Sequence, residues 1–355
     1  MTEPPEPPQP PEPHDPGHEP PTEVAPAVAY DLPTARTVVA SGLGLALRAS
    51  ADIRRAGLYV GALYLALLGP AAAVILALAG RFGGIPEAAP PADSLLRAVA
   101  IIWLTGVLAA IGFVAVSIDA LLIAVAVIGG HAGGRPLPLA GAVQRARQTF
   151  WAYAGGRIVV SVVGGVASAL AAAVGGRSLT GDIPSALATT VATVPFVYLS
   201  TAIVLGGVGA LGALGRSVTM ARVRPRLAMT VALFAFASAL LTLFGLSAGF
   251  DVVDRVGEFL HVTAADGPLG VTLITGLVVL GCLAFGSLEM TVEAIVAAPQ
   301  VTAFLGLTHY GAGLDAVRYE RAGDRAPGFR WVTRPMVVLI AVEVLCAVLV
   351  LAGAV

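Results

Sequence analysis

A chain of 355 residues is long enough for two soluble domains, yet only 12% of it is charged and 57% is apolar, with a mean hydropathy of +0.87. A water-facing surface ordinarily draws on about 25% charged residues, so a soluble globular class is excluded and an integral membrane protein remains. The net charge of −1 conceals a division: residues 1–35 hold seven acids and no arginine, which leaves the rest of the chain at +6.

In chain order, the first element is a tail. Twelve of the 25 prolines lie between Pro4 and Pro33, interleaved with glutamates. Such a segment cannot bury enough apolar surface to offset its ordering entropy, so residues 1–34 are expected to be disordered and partly polyproline II. The tail has neither the basic n-region nor the short apolar core of a secretory signal. The first apolar span is therefore expected to act as the targeting signal, and the tail to be either a solubilising leader or a strip for a proline-binding protein partner.

Seven stretches then reach the ~20 apolar residues that a span needs: 58–80, 98–130, 158–176, 183–214, 229–249, 269–303 and 336–355. The fold class expected is all-α, a polytopic transmembrane helical bundle occupying 35–355, with cytoplasmic amphipathic helices. Seventeen of the 21 basic residues, all of them arginine, fall before the first span or after the second, fourth and sixth. Only Arg81, Arg97, Arg177 and Arg255 fall on the alternate side. The positive-inside rule then predicts a cytoplasmic N-terminus and an external C-terminus. Absence of lysine beside abundant Ala, Gly and Val reads as a GC-rich bacterial genome, and hence a bacterial cytoplasmic membrane. Pro70 and Pro195 are expected to kink their spans. Gly164, Ser168, Ala172 and Gly176 form a small-residue stripe for close packing.

The second, fourth and sixth stretches are too long for a ~30 Å hydrocarbon core at ~1.5 Å per residue. They are expected to run on into the cytoplasm, with the arginine-bearing segments covering their apolar sides. Those segments repeat a pattern: Gly141-Ala142-Val143-Gln144-Arg145, Gly212-Ala213-Leu214-Gly215-Arg216, and Gly44-x3-Arg48. Phe113-x3-Ser117 matches Phe196-x3-Ser200. The expected plan is three units, each an amphipathic helix followed by a hairpin, and then a seventh helix.

Three pieces carry a family resemblance. They are Gly134-Arg135-Pro136-Leu137 leading into Ala142-x2-Arg145-Ala146-Arg147-x2-Phe150-Trp151; then Ala213-Leu214-Gly215-Arg216-Ser217-x2-Met220-x-Arg222; then Ala298-Pro299 followed by Tyr310, Asp315, Arg318 and Glu320. On these the chain resembles the polytopic membrane domain that some bacteria fuse ahead of a glycerophosphodiester phosphodiesterase and also carry alone. The resemblance spans roughly residues 40–330 and implies a topology. It implies no activity, since no phosphodiesterase barrel is present.

An ionisable group inside a span is a functional candidate because its insertion is costly. Asp119, Glu289, Glu293 and Glu343 qualify, either as a proton- or cation-coupled pathway or as partners of cytoplasmic arginines. Arg145, Arg147, Arg216, Arg222, Arg224 and Arg226 are candidate contacts for anionic lipid headgroups. Asp251, Asp254, Glu258 and His261 would share one face of a helix, as a weak metal site or a solvated surface. Cys282 and Cys346 fall within spans and read as small apolar residues. No nucleophile–base pair and no metal motif is evident, so neither an enzyme nor a cofactor is expected, and no nucleic-acid partner. The expected function is binding of membrane lipid or a protein partner in the envelope. The alternative is a coupled transporter or lipid-moving protein using the intramembrane carboxylates.

Overall fold

The computed structural model describes residues 34–82, 92–175, 182–242, 255, 268–308 and 331–352, and among these it is helical without strands. The proline-rich tail lies outside the described residues apart from Thr34. That residue starts the fold: its hydroxyl accepts from the Thr37 N–H, while the Thr37 hydroxyl accepts from the Thr34 N–H at 3.0 Å. This reciprocal cap satisfies two donors that a helix start leaves open.

The cap opens α1 (Ala35–Arg48), and α2 (Ser50–Phe82) follows after Ala49 alone. Next come α3 (Ala92–Ala132), α4 (Leu139–Gly175), α5 (Asp182–Thr193), a 3-10 turn (Val194–Phe196) and α6 (Leu199–Val204). The chain continues through α7 (Ala210–Val223), α8 (Pro225–Thr242), α9 (Pro268–Thr308) and α10 (Arg334–Leu351). Seven helical segments among the described residues are long and apolar enough to cross a membrane, each overlapping one of the seven expected stretches with shifted bounds. The protein is a multi-pass membrane protein.

Two expected boundaries are corrected. The fourth span does not run unbroken from 183 to 214. Pro195 falls in the 3-10 turn, and α6 ends at Val204. Gly207, at φ +63°, then takes the left-handed conformation that ends helices and favours glycine. The third span is not preceded by a separate amphipathic helix, since α4 runs from Leu139 through 37 residues. Nothing between Trp151 and Ile158 interrupts it, and Gly156 supplies close contact instead: a Cβ there would sit 3.2 Å from the Leu199 side chain. The other two units do break. Arg224 leaves the helical region (φ −135°, ψ 69°) immediately before Pro225, because a proline disfavours α conformation in the residue preceding it. Pro70, by contrast, lies inside a continuous α2.

The tightest seam joins α1 and α2 to α9. A Cβ on Gly61 would lie 2.7 Å from Leu283 Cα, one on Gly57 2.8 Å from Ser287 Cα, and one on Gly42 2.8 Å from Pro299 N. Bare glycines let these backbones touch, the packing that replaces hydrophobic drive in lipid. The Gly164 stripe works in the same way between α4 and α5, where Thr189 Oγ1 donates to Gly164 O at 3.2 Å and Ser168 bonds Ser185.

At 41 residues, α3 is about 60 Å long by its ~1.5 Å rise, twice the hydrocarbon thickness. Its first half exposes Leu96, Trp103, Val107, Ile111 and Val114, whereas residues 122–128 are wholly buried. Val38 and Leu45 of α1, Val143 and Ala146 of α4, and Ala213 and Ala221 of α7 belong to the same core. α1 and α4 therefore pack against α3, and α1 also packs against α9, while α7 packs on α4, α6 and the 3-10 turn.

Candidate functional site

The carboxyl groups divide by their surroundings. Asp119 on α3 is fully buried, and its Oδ2 pairs with Arg147 of α4, itself 13% exposed. Arg147 Nη2 also donates to the Tyr59 hydroxyl at 3.2 Å, and that hydroxyl donates to the Trp331 carbonyl ahead of α10. One charge pair thus joins α2, α3 and α4 to the segment leading into the last span. Asp119 Oδ1 and Arg147 Nε have no hydrogen-bond partner among the described residues. At the same end of the bundle, His131 Nε2 lies 3.0 Å from Asp52.

Two arginines of the repeated motif converge on the break in the fourth span. Arg145 Nε donates to Val204 O at 2.7 Å, placing a cation at the carbonyl end of α6. Arg216 crosses the Phe304 ring at 5.2 Å and packs against Gly206. Ser217 completes the repair: its hydroxyl donates to Pro195 O at 2.8 Å and accepts from the Tyr198 N–H at 3.1 Å. Irregular backbone at membrane depth persists only where protein satisfies its polar groups, and here a neighbouring helix does so. Of the arginines expected at lipid headgroups, Arg145, Arg147 and Arg216 are engaged inside the protein, Arg224 is half-buried, and Arg222 and Arg226 are exposed.

The broken span walls a cavity of about 650 Å³. Its remaining walls come from α3, α4, α8 and α9. Polar side chains reach it from several helices, among them Ser117, Arg157, Thr193, Ser200, Glu293 and Gln300. Ser200 donates to Gln300 Oε1 at 3.3 Å. Other lining residues face outward: Phe113 is 38% and Val114 57% exposed, and Ser161 and Ala239 are exposed as well. The cavity therefore opens sideways through the apolar surface of the bundle. Both halves of the Phe-x3-Ser match line it, so the two sequence repeats meet around one space.

Glu289 and Glu293, four residues apart on α9, share one helix face, and that face has two environments. Glu289 lies beside Tyr64 and Ser117, which are joined at 2.9 Å, next to the packed rings of Tyr64, Phe113 and Phe285. Glu293 lines the cavity, in electrostatic reach of Arg157 and Glu289. Sequence reasoning missed Arg157, Gln300 and Tyr64. A signal existed in Phe285-x3-Glu289, which repeats the Phe-x3-polar spacing a third time.

Glu343 stands apart on α10. It is fully buried where α10 meets α2 and α3, and neither carboxyl oxygen has a hydrogen-bond partner among the described residues. Asp251, Asp254, Glu258 and His261 lie outside the described residues. Among those described, no group of His, Cys, Asp and Glu is arranged to hold a metal ion. Cys346 is buried and Cys282 half-buried, both as free thiols. No family model, curated protein or solved structure matches the chain.

Proposed function

We propose that this multi-pass membrane protein is a non-enzymatic lipid-binding component of a bacterial cytoplasmic membrane, with its N-terminus in the cytoplasm. One observation carries the reading: a cavity of about 650 Å³ with polar groups inside and exposed apolar residues at its mouth. That volume suits a small amphiphilic ligand. Its sideways opening admits a molecule already dissolved in the bilayer. The arginine distribution supports the orientation, and Arg222 and Arg226 remain placed to meet anionic headgroups. Kinship with the membrane domain associated with glycerophosphodiester phosphodiesterases is part of the same proposal, resting on the arginine motifs of α4 and α7.

The test is lipid retention by the full chain. Native mass spectrometry after delipidation should show a bound phospholipid on the wild type. Ala239→Trp, which fills the mouth from α8, should reduce that occupancy at least about fivefold. Equal retention by both proteins would overturn the reading.

A second reading, a proton- or cation-coupled transporter, is favoured by Glu343 alone, since an unpartnered buried carboxyl in a span is a functional hypothesis by default. Proteoliposome flux that requires a proton gradient and is lost in Glu343→Gln would support it.

A further inference from the structure

Two opposite charges face the cavity, within electrostatic reach of each other but not closed to ion-pair distance, and Arg157 is exposed. Arg157 of α4 and Glu293 of α9 both line it, and among the described residues neither takes part in an ion pair. Glu289 lies one helical turn behind Glu293, so the local balance is not cationic. Trp151, 75% exposed, precedes Arg157 by six residues on the same helix, about 9 Å at ~1.5 Å per residue. Exposed tryptophans mark the headgroup level. Beyond Arg157, α4 turns Ile158, Val162, Val166 and Leu170 outward. The charges thus sit where the apolar belt meets the interface.

Charge distinguishes the possible occupants. A simple anion would satisfy Arg157 and be repelled by Glu293. A simple cation would meet the reverse. Only a ligand bearing both charges satisfies both residues, and in a bilayer the abundant molecule of that kind is a zwitterionic phospholipid. We infer that the cavity takes the headgroup of a zwitterionic phospholipid, its phosphate on Arg157, its ammonium at Glu293, and its acyl chains leaving past Phe113 and Val114. A guanidinium binds phosphate oxygens through two parallel donors. Phe113, Phe196 and Phe236 also line the site, and aromatic faces accept primary or quaternary ammonium. The inference rests on the lipid-binding reading and adds the class of headgroup.

The experiment titrates the full-length protein, in native mass spectrometry, with dioleoyl phosphatidylethanolamine, phosphatidylcholine and phosphatidylglycerol. Both zwitterionic lipids should bind about tenfold more tightly than phosphatidylglycerol. Glu293→Gln should bring the three within about twofold of one another, Glu293→Asp should restore the preference, and Arg157→Gln should weaken all three. Phosphatidylglycerol binding as well as the zwitterions, or a preference untouched by Glu293→Gln, would overturn the assignment. If Ala239→Trp excludes lipid while the three headgroups bind alike, the headgroup assignment alone falls. If Ala239→Trp changes nothing, the lipid-binding reading falls with it.

Discussion

Asp119 and Arg147 show how much one pair of side chains can hold. Asp119 is buried and Arg147 largely so, and the pair ties α3 to α4 and, through Tyr59, to α2 and the entry to α10. Removing one partner of such a pair leaves an uncompensated charge, at a cost of about 3–5 kcal/mol, whereas replacing both by apolar groups is often neutral. Arg147→Met alone should therefore lower the unfolding temperature in detergent sharply, and Asp119→Leu with Arg147→Met should recover most of the loss. A double variant as unstable as the single would show that the pair is not the source. Glu343 predicts the opposite sign. Its carboxyl is buried without a partner, and an acid at mid-span carries an insertion cost of ~2.5–3.5 kcal/mol on the scale measured for Asp. Glu343→Leu should leave the unfolding temperature unchanged or raise it. A marked fall would reveal an interaction that this packing does not contain. The candidate acids were legible in the sequence because charge is rare among apolar residues. Their partners were not, since Asp119 and Arg147 lie 28 positions apart on two helices joined by a turn.

Glycine positions decide how the helices fit. A side chain at Gly61 would collide with the α9 backbone at Leu283, whereas one at Gly165 meets nothing within 4 Å. Overpacking against backbone costs about 1–3 kcal/mol or more. Gly61→Val should lower the yield and thermal stability of folded protein, and Gly165→Val should match the wild type in size-exclusion and melting measurements. Equal tolerance of the two would mean that the α2–α9 seam is not where the backbones meet. Element ends were partly legible too. Pro195, expected as a kink, sits in a break, and Thr34 and Pro225, not singled out in the sequence, act as a cap and a stop. The continuity of α4 was not legible. The tandem glycines before Arg157 resemble a joint until Leu199 is seen packed against one of them.

Across the whole molecule, the lengths of α3 and α9 set the architecture. Each is 41 residues, longer than a bilayer is thick; α1 packs along both, and α4 packs along α3. If all seven candidate spans cross, the chain ends lie on opposite sides. Reporters fused at each end should thus be active in different compartments, and a common compartment would contradict both the span count and the orientation. Apolar run length determines, in the sequence itself, that this is a multi-pass helical protein with seven candidate spans, because a bilayer reads hydrophobicity residue by residue. The cavity was beyond that reading. Arg157 and Glu293 lie 136 positions apart in the chain, and only the packing of α3, α4, α8 and α9 around a broken span brings opposite charges to one space. Local sequence can state that a charge is present. Which charge it faces depends on how separate helices approach, and that is settled by tertiary contact.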